Sequence, residues 1–126
     1  MAASRGFNVV DSSAWLEYFF DTPLAPPFAA AIEDTQRLVV PVITLYEVFK
    51  KVMRDHGEDA ALQVAAQMQQ GELVPVDDGL ALEAAKLALP LADSLIYATA
   101  LRYKATLWTQ DQHFADLPSV RYFAKP

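Results

Sequence analysis

The stretch LVVPVITLYEVFKKVMRDHG, residues 38–57, decides the fold class. It opens with a short apolar run, Leu38–Val40, that reads as a buried strand. From Thr44 the apolar positions Leu45, Val48, Phe49, Val52, Met53 and His56 recur at spacings of 3, 4, 7, 8 and 11, the stripe of an amphipathic helix ended by Gly57. A strand leading straight into a long helix is the repeating unit of a parallel α/β sheet.

The same alternation extends outward on both sides. Upstream, Phe7–Val10 reads as a strand, Ser12 to Phe20 as a helix closed by Asp21-Thr22-Pro23, and Pro26-Pro27 opens a helix to about Thr35. Downstream, Glu58–Gln70 reads as a helix stopped by Gly71, Leu73–Val76 as a strand, and Asp78–Ala88 and Asp93–Tyr103 as helices. Thr106–Trp108 is a further strand and Val120–Phe123 an edge strand. No repeat, linker or low-complexity tract interrupts the pattern. Residues 1–126 are expected to form one domain, since domains commonly run about 100–150 residues.

Composition narrows the classes. Hydrophobic residues make up 53% of the chain, above the usual ~45–50%, which excludes a disordered chain. No apolar run reaches the roughly 18 residues needed to span a bilayer, and the opening MAASRGFNVV lacks the apolar segment of a signal peptide. With no cysteine there is no disulfide, thiolate zinc site or cysteine nucleophile. These readings predict a cytoplasmic protein that does not enter membranes. The formal net charge of −6 argues against a simple phosphate-backbone binder, unless several of the acids hold metal.

Placement singles out four of the sixteen acidic residues. Asp11 directly follows the first strand and Asp111 lies three residues after the fourth, while Glu47 and Asp93 are expected in the first turns of helices. Ligands of an open parallel sheet bind beyond the carboxyl ends of the strands, so all four can meet on one rim. Each also has a purely structural alternative. Thr44-Leu-Tyr-Glu47 has capping-box spacing, and Asp93, Asp11 or Asp111 could cap helical turns. Ser12 or Ser13 could cap the first helix in place of Asp11, and Ser94 stands beside Asp93. Apolar Val42, Ile43, Leu45 and Val48 make a poor setting for a merely solvated Glu47, because buried charge is costly unless paired or metal-bound. Four carboxylates without matched basic neighbours suggest a hard cation, Mg²⁺ or Mn²⁺.

Val-Val-Asp11-Ser-Ser, Glu47 opening a helix, Leu91-Ala-Asp93-Ser-Leu-Ile and Thr109-Gln-Asp111-Gln-His-Phe114, in this order, resemble the PIN-domain ribonucleases, and among them the VapC-type toxins of toxin–antitoxin pairs. The resemblance runs from Asn8 to about Phe123, with a tighter connection than usual, Leu89-Pro90-Leu91, ahead of Asp93. It implies a three-layer PIN-like fold with a central, mostly parallel sheet of four to five strands and helices on both faces. It implies Mg²⁺- or Mn²⁺-dependent cleavage of RNA phosphodiesters, with Asp11, Glu47, Asp93 and Asp111 as metal-holding catalytic residues. An RNA substrate, a cognate antitoxin protein and a homodimer are the implied partners.

Weaker candidates surround these four. Ser12, Ser94 and Thr109 could hydrogen-bond the metal-holding carboxylates, and Asp116 is an additional acid nearby. Lys50, Lys51 and Arg54 follow Glu47 at 3, 4 and 7 residues, so they could steer RNA phosphates or, alternatively, pair with Glu47. Arg102 and Lys104 read as partners of a helix C-terminus. Trp15, Tyr18 and Phe19 read as a core stripe and His56 as structural. Phe20, Tyr46 and Tyr97 could line a dimer or antitoxin groove. His113 reads as a neighbour of the site and not as a metal ligand. Two rivals stand beside this reading: a non-catalytic PIN-like binding module and a phosphoacceptor receiver domain. The latter wants an acidic pair after the first strand and a lysine after the fifth, a pattern Asp11-Ser12-Ser13 and the Val120–Pro126 tail do not supply.

Overall fold

A computed structural model describes residues 6–126. The leading residues, on which part of the signal-peptide reading rests, lie outside that range. Along the chain run β1 (Asn8–Val10), α1 (Ser12–Phe19), α2 (Pro26–Glu33), β2 (Val39–Pro41), α3 (Val42–His56), α4 (Glu58–Met68), β3 (Glu72–Val74), α5 (Asp78–Ala85), α6 (Leu91–Arg102), β4 (Thr106–Thr109) and β5 (Val120–Tyr122). Every strand and helix expected from the sequence is present, with ends displaced by a few residues.

All strand pairing is parallel. β1, β4 and β5 form one ladder in the order β1-β4-β5, and β2 pairs with β3 in a second. A single bridge between Asn8 and Leu38 joins the two at β1 and β2. The five strands therefore run β3-β2-β1-β4-β5, narrower in continuous hydrogen bonding than the four to five strands expected. The chain moves outward from β1 to β3 and then returns to the other side of β1 for β4. The order thus reverses between β1 and β4, where an open parallel sheet leaves its ligand crevice.

Strand periodicity of two divides the core. Val10 and Val40 face one side, where they pack with Trp15, Phe28, Val48, Val52, Val64 and Met68 of α1 to α4. Val9, Val39, Val74 and Leu107 face the other, against Ile96, Tyr97 and Ala100 of α6 and against Phe114. α6 is buried on more than one side, because Ala98 and Leu95 also pack against Leu80 and Ala84 of α5. The result is the expected three-layer arrangement. Arg102, at the C-terminal end of α6, makes a two-pronged ion pair with Asp77, the N-cap of α5, at 3.0 and 3.1 Å. Each charge sits at the helix end that favours it.

Candidate metal centre

The structure decides among the capping alternatives that the sequence leaves open, and it moves the start of one helix. α3 begins at Val42 behind an extended Pro41, so Glu47 stands in the second turn. Thr44 is inside the first turn, fully buried, and its hydroxyl has no partner, so the capping box does not form. At the first helix, Asp11 itself is the N-cap, accepting from the Ala14 N–H at 3.0 Å, and Ser12 and Ser13 are helical. Asp93 caps nothing: Pro90 is the N-cap of α6 and makes no side-chain capping bond. Its carboxylate is left free for another role.

Asp11 and Asp111 flank the reversal point between β1 and β4, and Glu47 and Asp93 approach from helices on opposite faces of the sheet. All four line one groove of about 760 Å³. Asp11 is 4% exposed. Its Oδ1 accepts from Ala14 N and from Ser13 Oγ at 3.1 Å, and its Oδ2 accepts from the Thr109 hydroxyl. Burial nevertheless dominates and pushes the carboxyl from 3.8 to about 6, opposed by these hydrogen bonds and reinforced by the charge of Asp111. Thr109 Oγ1 also accepts from Asp111 N at 2.9 Å, so one hydroxyl sets the spacing of two of the acids. Ser12 donates to Glu47 Oε1 at 2.6 Å and ties α1 to α3.

Asp93 and Asp111 converge on His113. The imidazole Nδ1 lies 2.9 Å from Asp93 Oδ2 and 3.2 Å from Asp111 Oδ1, and the His113 backbone N–H donates to the same Asp111 oxygen at 2.9 Å. Burial foremost, then the charges of Asp111 and Glu47, raise the Asp93 carboxyl, with His113 opposing them. Ligand atoms of Asp93, Asp111 and His113 all lie within 4.8 Å of one another. Among the described residues no lysine or arginine pairs with any of the four carboxylates. An oxygen-rich donor set with no lysine or arginine paired to it fits a hard divalent ion.

Other sequence candidates divide. Ser12 and Thr109 hold site carboxylates as expected. The Ser94 hydroxyl instead donates back to the Leu91 carbonyl at 2.7 Å, because it points along its own helix. Asp116 is exposed beyond the short Gln112–Phe114 turn and does not reach the groove. Lys50, Lys51 and Arg54 line the groove, but none pairs with Glu47. Lys50 donates to the Tyr46 hydroxyl, while Lys51 and Arg54 meet Asp55. Tyr97 is core, its hydroxyl donating to the Pro118 carbonyl, so it cannot line a docking groove. His56 is exposed, with its ring tilted against that of Phe20. Sequence reasoning missed Glu17, Gln110 and Lys125, which also line the groove. Buried Gln110 donates to Glu17 at 2.7 Å, and nothing in the local sequence signals that pairing across the fold.

Fold and site together define an α/β domain that gathers carboxylates at a switch point, with basic side chains along the adjoining wall. The sequence profile of the PIN domain matches residues 9–120, and the chain belongs to that family. It is 33% identical over 93 residues to Ribonuclease VapC4 of Mycobacterium tuberculosis, covering 64% of this chain and 72% of that protein. In structure it resembles a toxin–antitoxin complex from Klebsiella pneumoniae, with TM-score 0.77 and 20% identity over 94% of this chain and 99% of that one. It also resembles Mycobacterium tuberculosis VapC20, a sarcin-ricin loop cleaving toxin, with TM-score 0.70 and 15% identity over 88% and 95% of the two chains. Family membership removes the receiver-domain alternative. Among the described residues no helix is long and apolar enough to cross a membrane.

Proposed function

We propose that this PIN-domain protein is a metal-dependent endoribonuclease and the toxin of a toxin–antitoxin pair. The observation that carries the reading is that Asp11, Glu47, Asp93 and Asp111 line one groove, none of them paired with a lysine or arginine among the described residues, beside Lys50, Lys51 and Arg54. Asp93 and Asp111, whose ligand atoms lie within 4.8 Å of each other, would hold the cation, with Glu47 and Asp11 of the same groove completing the donor set. Bound Mg²⁺ or Mn²⁺ supplies Lewis-acid chemistry, activating water and offsetting charge on the phosphate.

The chain's own residues set the geometry. Thr109 and Ser12 fix the directions of Asp11, Asp111 and Glu47 through the hydrogen bonds described above. A carboxylate oxygen that has no protein donor, such as Glu47 Oε2, can accept the proton of the attacking water. Lys50, Lys51 and Arg54 draw the RNA backbone to the groove. Asp55 holds two of these by exposed ion pairs, which are weak and readily exchanged for phosphate. An antitoxin is the expected protein partner, and a basic residue inserted among the acids would inhibit through bidentate pairing. The cytoplasm is the expected site of action.

RNA cleavage by the purified protein tests the reading. Activity should vanish in EDTA, return with Mn²⁺, and be lost in Asp93→Asn. Cleavage that persists in EDTA, or in Asp93→Asn, refutes the metal site. Growth inhibition on induction, relieved by co-expressing an adjacent small reading frame, tests the toxin assignment separately.

A further inference from the structure

The groove continues past the acids to a pair of exposed rings that the proposed chemistry does not use. Phe20 caps the C-terminal end of α1 and is 43% exposed. Its ring lies 4.4 Å from that of His56, the last residue of α3, with 31° between the planes. Both rings line the same groove as the four acids, and so does Tyr46, which is 56% exposed.

We propose that the Phe20–His56 pair is a stacking subsite for an unpaired RNA base, in a strand whose phosphates run along Lys50, Lys51 and Arg54. Neighbouring charge favours RNA over a protein partner. The rings are set among Lys51, Arg54, Asp55 and Lys125, whereas an apolar helix would need a broad uncharged surface. Alternating cationic and aromatic contacts are the means by which proteins hold single strands, since every base has a π-face and every nucleotide a phosphate. Asp11 starts α1 and Phe20 ends it, and eight helical residues span about 12 Å. The stacked base therefore belongs to a nucleotide away from the scissile bond, and the subsite sets the register of the strand. This subsite rests on the nuclease reading for its substrate but can be measured without cleavage.

The test uses a short single-stranded oligoribonucleotide and its abasic counterpart, which keeps every phosphate and lacks the bases. Binding is measured by fluorescence anisotropy in EDTA at low salt, for wild type, Phe20→Ala, Phe20→Leu, Phe20→Trp and His56→Ala. Wild type and Phe20→Trp should prefer the base-bearing strand by roughly ten-fold. Phe20→Ala and Phe20→Leu should lose that preference while binding the abasic strand as wild type does, and His56→Ala should weaken it. Thermal melts of Phe20→Leu, which keeps an apolar side chain, separate this from unfolding. Equal wild-type affinity for the two strands, including no binding of either, overturns the subsite, as does a preference that survives Phe20→Leu. A Phe20→Leu variant that keeps the preference but loses self-association would instead make the pair a protein contact. Failure of Mn²⁺-supported cleavage alongside an intact base preference would refute the nuclease reading alone.

Discussion

Asp11 is held by three hydrogen bonds and is almost completely removed from solvent. Those bonds favour the carboxylate, yet burial outweighs them and raises its pKa from 3.8 to about 6. Between these two values the folded protein keeps a proton that the unfolded chain has released. Its contribution to metal-free stability is therefore complete below about 3.8 and is lost as pH rises through about 6. The difference is on the order of 3 kcal/mol. Asp11→Asn carries no charge and retains an amide oxygen able to cap α1. In urea titrations with EDTA, the variant should gain on wild type as pH rises from 4 to 7 and then hold its advantage. A gap that does not change with pH would mean that Asp11 is ionised at no cost in the fold. The same variant should lose RNA cleavage, because the charge that destabilises the metal-free protein is the one the cation needs.

At the scale of elements, α1 and α3 pack through Trp15, Val48 and Val52, and among the described residues one side-chain hydrogen bond joins them, from Ser12 to Glu47. Ser12→Ala leaves Glu47 in place without its orienting donor, and groups supporting a metal-holding residue typically contribute 10–100-fold in metal affinity or activity. The turnover rate should fall by roughly ten-fold with KM for RNA little changed, and Ser12→Thr should recover most of the loss. A purely structural role would lower the melting temperature and leave the rate of the folded fraction intact. Much of this scale was legible beforehand. Gly57, with φ at 89°, stops α3 where the sequence expected a stop, and Asp11, Glu47, Asp93 and Asp111 all reach the groove. The start of α3 was not legible, because the apolar run from Leu38 to Leu45 hides the change of period from strand to helix. Ser94 and Thr109 look equivalent as polar neighbours of an acid. Their difference comes from direction: Ser94 sits in a helix with its own carbonyls in reach, while Thr109 projects from β4 onto Asp11. The meeting of Gln110 with Glu17, and of Phe20 with His56, depends on packing between elements far apart in sequence.

At the scale of the whole molecule, the proposed metal site would couple ion binding to folding. Glu47, Asp93 and Asp111 come from three separate segments, so the proposed donor set is assembled only in the folded chain. Without a cation these acids repel: two like charges about 5 Å apart cost roughly 3 kcal/mol at an effective dielectric of 20. Burial foremost, with the charge of Asp111 adding to it, raises the carboxyls of Asp11 and Asp93. An ion bound only by the native state stabilises it by RT ln(1 + [L]/Kd), about 2.7 kcal/mol at a hundredfold excess over Kd. For a domain of this size that corresponds to a melting-temperature rise of roughly 10 °C. Mn²⁺ should therefore raise the calorimetric melting temperature of wild type relative to EDTA. Asp93→Asn and Asp111→Asn should lose most of the rise, whereas Lys50→Ala, which removes a groove side chain but no carboxylate, should retain it. The comparison separates a specific site from general screening of a chain with net charge −6. Screening would stabilise all four proteins alike and would respond to NaCl as it does to Mn²⁺. Equal shifts in wild type and both aspartate variants would mean that the groove's acids hold no cation.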